Sequence, residues 1–218
     1  MTVLLIAINA GVFLYEVSLP PRVLEQFIEL FGVVPERFSH WVRMGGSPAD
    51  PGRFAPILTS MFIHGGWAHI LGNMWFLWIF GDNVEDVLGR PRFVVFYLLC
   101  GGAAALAQIA ASPMSPVPTV GASGAIAGVL GAYFWLFPRA RILTFIPIFI
   151  IPYFVEVPAL VFLGIWFILQ LISGLAEAGT RTLHGGVAWW AHAAGFVTGI
   201  VLLWIMRPPT SRRRAPAY

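Results

Sequence analysis

Three short segments place groups capable of acyl-transfer chemistry inside strongly hydrophobic surroundings. The first is Gly121-Ala122-Ser123-Gly124, which follows a proline-rich turn and opens a helical pattern. A serine at a helix start lies beside unpaired backbone N–H groups and the positive end of the helix dipole, which suit a developing oxyanion. The second is Ala191-His192-Ala193-Ala194-Gly195, continuing to Gly199. A neutral imidazole there can take a proton from a serine hydroxyl. The third runs from His64 to Asn73. Its His69 and Asn73 are four apart and share one helix face, and both can donate hydrogen bonds to an oxyanion.

Each segment taken alone has a plainer explanation. Ser123 reads equally as an N-cap ahead of a small-residue ridge formed by Gly124, Gly128 and Ala132. His192 reads as a histidine satisfied across a helix contact on the Gly195/Gly199 face. His64, His69 and His192 could be metal ligands, but there is no His-Glu-x-x-His run and no carboxylate nearby in sequence, so no metal and no cofactor is expected. The three segments together are more specific: a nucleophile, a base and a pair of donors, without the Gly-x-Ser-x-Gly elbow of a soluble hydrolase.

Such groups must be positioned by helices in lipid. Hydrophobic residues make up 58% of the 218 and charged residues only 11%, too little charge to cover a soluble surface. The length suits one bundle. Cys100 is the single cysteine, which excludes an internal disulfide framework. All basic residues are arginines, scattered between apolar runs or gathered at Arg212–Arg214, so no nucleic-acid footprint exists.

Apolar runs of near-spanning length predict helices over Thr2–Leu19, Trp67–Leu88, Phe93–Ala111, Gly121–Phe137, Val157–Leu175 and Val187–Met206. The first lacks the basic n-region and cleavage site of a signal peptide and is read as a retained helix; its abrupt start fits a missing short N-terminal stretch. The connection Pro20–Gly66 carries an amphipathic stretch, Val23–Phe31, that either lies in the interface plane or packs on the bundle. The segment Arg139–Tyr153, broken by Pro147 and Pro152, reads as a re-entrant or interfacial hairpin. With both termini cytoplasmic, eight of the thirteen arginines fall on the cytoplasmic side. No internal repeat suggests a transporter, and the polar groups cluster toward one face rather than lining a channel.

The motifs His64–Met74, Phe80–Asp86, Gly121–Gly124 and Ala191–Gly195, in this order and spacing, resemble the rhomboid family over most of the chain. The resemblance implies an all-α membrane protein, a six-transmembrane-helix bundle over residues 1–206 with a basic cytoplasmic tail at 207–218. It implies an intramembrane serine endopeptidase that cleaves transmembrane segments of single-span membrane proteins with a Ser123–His192 dyad. His69, Asn73 and the Ser123 backbone would hold the oxyanion, Gly121 and Gly124 would shape the nucleophile turn, and His64 would support the site. Gly128, Gly195 and Gly199 would pack helices.

The long first loop would be the family's membrane-embedded loop, and the fifth helix with residues 176–188 its gate and cap. The partners would be the bilayer and membrane-protein substrates, in an integral membrane protein of a bacterial plasma membrane. Oligomeric state stays open, because glycine faces serve internal packing as readily as dimerisation. The alternative is a catalytically silent rhomboid-like binder of transmembrane segments. Two positions depart from the family. Ala127 replaces a tyrosine that stacks on the histidine, leaving open what orients His192. Ala55-Pro56 replaces a Trp-Arg pair of the first loop, for which Arg53 could substitute.

Overall fold

The computed structural model describes residues 1–47, 50–148, 151–179 and 188–208. Helix α1 (Thr2–Ser18) leads into three short helices, α2 (Pro21–Phe31), α3 (Pro35–Arg43) and α4 (Pro51–Thr59), and a 3-10 turn at Ser60–Phe62. Then follow α5 (Trp67–Leu88), α6 (Arg90–Ala111), α7 (Ser123–Leu136), strands β1 (Arg141–Ile148) and β2 (Ile151–Pro158), α8 (Ala159–Gly179) and α9 (Trp189–Met206). Among the described residues, α6, α8 and α9 are long and apolar enough to cross a membrane, while α1 and α7 are shorter apolar helices.

Helix α7 occupies the centre. Every residue from Gly124 to Tyr133 is buried, which its run of glycine, alanine and aliphatic side chains permits. Those small residues let α9 approach until backbones touch. A Cβ at Gly195 would collide with the Gly124 carbonyl, one at Gly199 with the Gly128 carbonyl, and one at Gly131 with the Phe196 carbonyl. Close packing of this kind replaces the hydrophobic drive that lipid cannot supply between helices. Gly199→Val must therefore force α7 and α9 apart, at a cost of about 1–3 kcal/mol. The expected result is a clearly lower melting temperature in detergent. Gly102→Ala serves as the control: its Cβ would meet only Ile57 Cγ2, at an ordinary 3.8 Å.

The connection between α1 and α5 is a built layer, with proline opening each of its three helices at a position where a missing N–H costs nothing. Thr59 Oγ1 donates to the Phe31 carbonyl at 2.7 Å, and Val33 exchanges both backbone hydrogen bonds with Thr119. Phe38, Trp41 and Phe54 pack ring against ring. Arg53 does not anchor this layer; it is exposed and lies 3.7 Å from Asp50 of its own turn. The amphipathic helix α2 rests on α1 through Phe27 and Tyr15, with Val23 and Leu30 exposed.

The helical bundle carries one non-helical insertion, at the segment that the sequence reads as a hairpin: after α7 comes an antiparallel β-hairpin in which Arg141 pairs with Pro158 and Pro147 with Pro152. Ile, Phe, Val and Tyr favour extended backbone, and the prolines disfavour a helix while being tolerated on strands that are both edges. Val157 and Pro158 therefore belong to β2, and the fifth long helix starts at Ala159. The predicted cap around Arg181 and the tail cluster Arg212–Arg214 lie outside the described residues.

Candidate active site

Helix α7 begins at Ser123 itself. Its N-cap is Ala122 and no side chain caps it, so the serine hydroxyl is not spent on capping. That hydroxyl faces α9. Ser123 precedes Gly124, and His192 lies three positions before Gly195, the residue that abuts the Gly124 carbonyl. The glycine contact thus fixes the separation of the two side chains: His192 Nε2 lies 2.8 Å from Ser123 Oγ.

The far side of the imidazole is held by α8. His192 Nδ1 lies 2.8 Å from Gln170 Oε1, and Gln170 Nε2 donates to the Trp166 carbonyl at 3.1 Å. The Trp166 ring lies 5.9 Å from the imidazole, tilted by 32°, and Trp189 meets it edge-on at 6.4 Å. Ala127 is fully buried in α7 and leaves no aromatic ring there. The partners that orient His192 therefore come from α8, together with Trp189 at the start of α9.

His69 and Asn73 approach the nucleophile turn from α5. Gly121 has φ +122°, a conformation that favours glycine, and its N–H donates to the Ser60 carbonyl at 2.8 Å. A Cβ at this position would lie 2.6 Å from His69 Nε2 and 3.6 Å from Asn73 Nδ2, so glycine also clears their approach. Gly65 N–H donates to His69 Nδ1 at 3.3 Å, which leaves the proton of a neutral His69 on Nε2, facing this turn. Asn73 is buried, and its Nδ2 has no hydrogen-bond partner among the described residues. Ser123, His192, His69, Asn73, Gly121 and Trp166 all line one open cavity of about 850 Å³.

His64 does not line that cavity. It is buried behind His69, with ring centroids 5.1 Å apart, and its backbone N–H donates to the buried Glu16 carboxylate at 3.2–3.3 Å. Burial, with His69 adding to it, pushes His64 down to about 4, so it stays neutral at physiological pH. Gly128, Gly195 and Gly199 lie in the α7–α9 contact, and Gly124 packs on Ala104 as well. Sequence reasoning missed Gln170, Trp166 and Glu16. The signal for Gln170 and Glu16 was available, since a polar side chain inside a spanning helix demands a partner.

Residues 51–209 match the model of the rhomboid domain family. The chain belongs to the rhomboid family. It is 30% identical over 162 residues to yeast (Saccharomyces cerevisiae) Rhomboid protein 1, mitochondrial, a match covering 72% of this chain and 43% of that protein. It is 40% identical over 85 residues to Rhomboid protease GluP of Bacillus subtilis, covering 39% of this chain and 16% of the relative. It is 30% identical over 159 residues to Rhomboid-like protein 11, chloroplastic, of Arabidopsis thaliana, covering 68% of this chain and 51% of the relative. The chain thus spans about half or less of the length of these relatives. This rhomboid-family chain is an integral membrane protein. Its relatives include mitochondrial, chloroplast and bacterial proteins, so kinship does not single out a bacterial plasma membrane.

Proposed function

We propose that this rhomboid-family chain is an intramembrane serine endopeptidase acting on transmembrane segments of single-span membrane proteins. The observation that carries the reading is the 2.8 Å contact between His192 Nε2 and Ser123 Oγ, the distance a general base needs. Ser123 Oγ attacks the scissile carbonyl carbon while its proton passes to His192 Nε2. The resulting oxyanion accepts from His69 Nε2–H, Asn73 Nδ2–H and the backbone N–H at the start of α7. Collapse breaks the C–N bond, and the His192 proton goes to the leaving amine. Water, deprotonated by the same Nε2, then hydrolyses the acyl-enzyme and frees Ser123. His64, outside the cavity, supports His69.

In this reading α1 and α5–α9 are the six membrane helices, both termini are cytoplasmic, and residues 207–218 form a basic cytoplasmic tail. The 14 residues of α7 rise about 21 Å, less than the roughly 30 Å of hydrocarbon, so with its C-terminal end at the cytoplasmic interface its Ser123 end lies within membrane depth. A serine at that end meets a substrate helix where backbone carbonyls are otherwise hidden from water.

Cleavage of a fluorescent single-span substrate co-reconstituted in liposomes tests the proposal. Wild type is expected to release two fragments that Ser123→Ala does not. Substrate capture by both proteins without fragments from either would instead favour the silent binder.

A further inference from the structure

Gln170 is the only amide or charged side chain between Ala159 and Ile172 of α8 and is only 6% exposed. Its neighbours Ile165, Ile168, Leu169 and Ile172 are exposed on the outer face of the helix. An amide turned inward from such a helix is costly unless its atoms are paired, and both are. The orientation of that pairing is forced. The Trp166 carbonyl can only accept, so the atom 3.1 Å from it is the NH₂ group of Gln170. Oε1 therefore faces His192 Nδ1 at 2.8 Å, and an amide oxygen can only accept. Nδ1 must carry the hydrogen, and a neutral imidazole then presents a bare lone pair at Nε2, the atom 2.8 Å from Ser123 Oγ.

From this chain of donors and acceptors we infer that Gln170 is the positioning residue of the dyad: it selects the Nδ1–H tautomer of His192 and, with Trp166, sets the plane of the ring. The inference rests on the dyad reading above. The third member is neutral, unlike the carboxylate that serves this purpose in the triads of soluble serine proteases, because ionising a carboxyl at membrane depth is costly, whereas an amide supplies the same acceptor without a charge. When the imidazole takes the Ser123 proton, Nδ1–H keeps its acceptor, so Gln170 also steadies the imidazolium. The glycine contacts clamp α7 directly to α9, whereas this acceptor comes from α8. The base is therefore armed only while α8 stays in place.

The test compares wild type, Gln170→Met and Gln170→Glu in liposomes containing a fluorescent single-span substrate. Met keeps the length of the side chain and suits the apolar helix but offers no comparable acceptor. Glu offers an acceptor oxygen in either protonation state. Gln170→Met is expected to lower kcat at least about tenfold with KM unchanged, and Gln170→Glu to recover most of that loss. Nitrogen NMR of His192 labelled in the ring supplies a readout that a merely structural role would not move. Wild type should show the Nδ1–H tautomer, and Gln170→Met a mixture or the other form. An unchanged tautomer, or a Gln170→Met enzyme with wild-type kcat, overturns the inference. Labelling of wild-type Ser123 by a fluorophosphonate is the control: its absence would refute the dyad itself rather than the role of Gln170.

Discussion

Replacing Ser123 by alanine lowers kcat for substrate cleavage by about 10³-fold or more, His192→Ala does the same, and the double variant is no slower than either. The non-additivity follows from the contact at 2.8 Å. Without the base the hydroxyl is a weak nucleophile, and without the hydroxyl the base has no proton to take. Neither change should unfold the protein. Ser123 caps nothing, and the packing between α7 and α9 is carried by glycine backbones rather than by these two side chains. Initial rates in liposomes, with melting temperatures measured in parallel, check both parts. Multiplicative losses would mean that the two residues act independently.

The second large effect concerns the oxyanion donors. Asn73→Ala should lower kcat by about 10²-fold, since one lost donor at an oxyanion site is worth about that much or more. Its effect on stability should be small. Asn73 Nδ2 donates to no other described residue and lines the open cavity, so little internal hydrogen bonding is lost with it. Removing it is therefore expected to leave the melting temperature nearly unchanged while activity falls. His69→Ala should also lose kcat, but with some loss of stability, because His69 Nδ1 accepts the Gly65 N–H and the ring packs on His64. A stability loss in Asn73→Ala without loss of kcat would assign Asn73 to packing instead.

Much of this arrangement was legible in the sequence because lipid leaves few choices. The apolar runs placed α1 and α5–α9 within a few residues, and the glycine periodicity at Gly195 and Gly199 foretold backbone contact. Ser123, His192, His69, Asn73 and Gly121 do converge on one cavity. What could not be read was anything set by tertiary placement. Gln170 looked like one amide in an apolar helix, and only the packing of α8 on α9 brings its oxygen to Nδ1. Trp166 stands near the imidazole although it comes from a different helix than the tyrosine that sequence comparison would seek at Ala127. Glu16 sits in the first helix, far from every motif, yet its carboxylate receives the His64 N–H. Pro147 and Pro152 marked a hairpin, but its strand pairing could not be read, because short apolar runs carry the same hydropathy in strand and helix.

The central claim is that His192 activates Ser123, and the most direct measurement is the site of covalent labelling by a fluorophosphonate, read by peptide mass spectrometry. The expected result is a single adduct on Ser123 in the wild-type protein in detergent, lost in His192→Ala. An adduct on another residue, or equal labelling of Ser123 with and without His192, would contradict it.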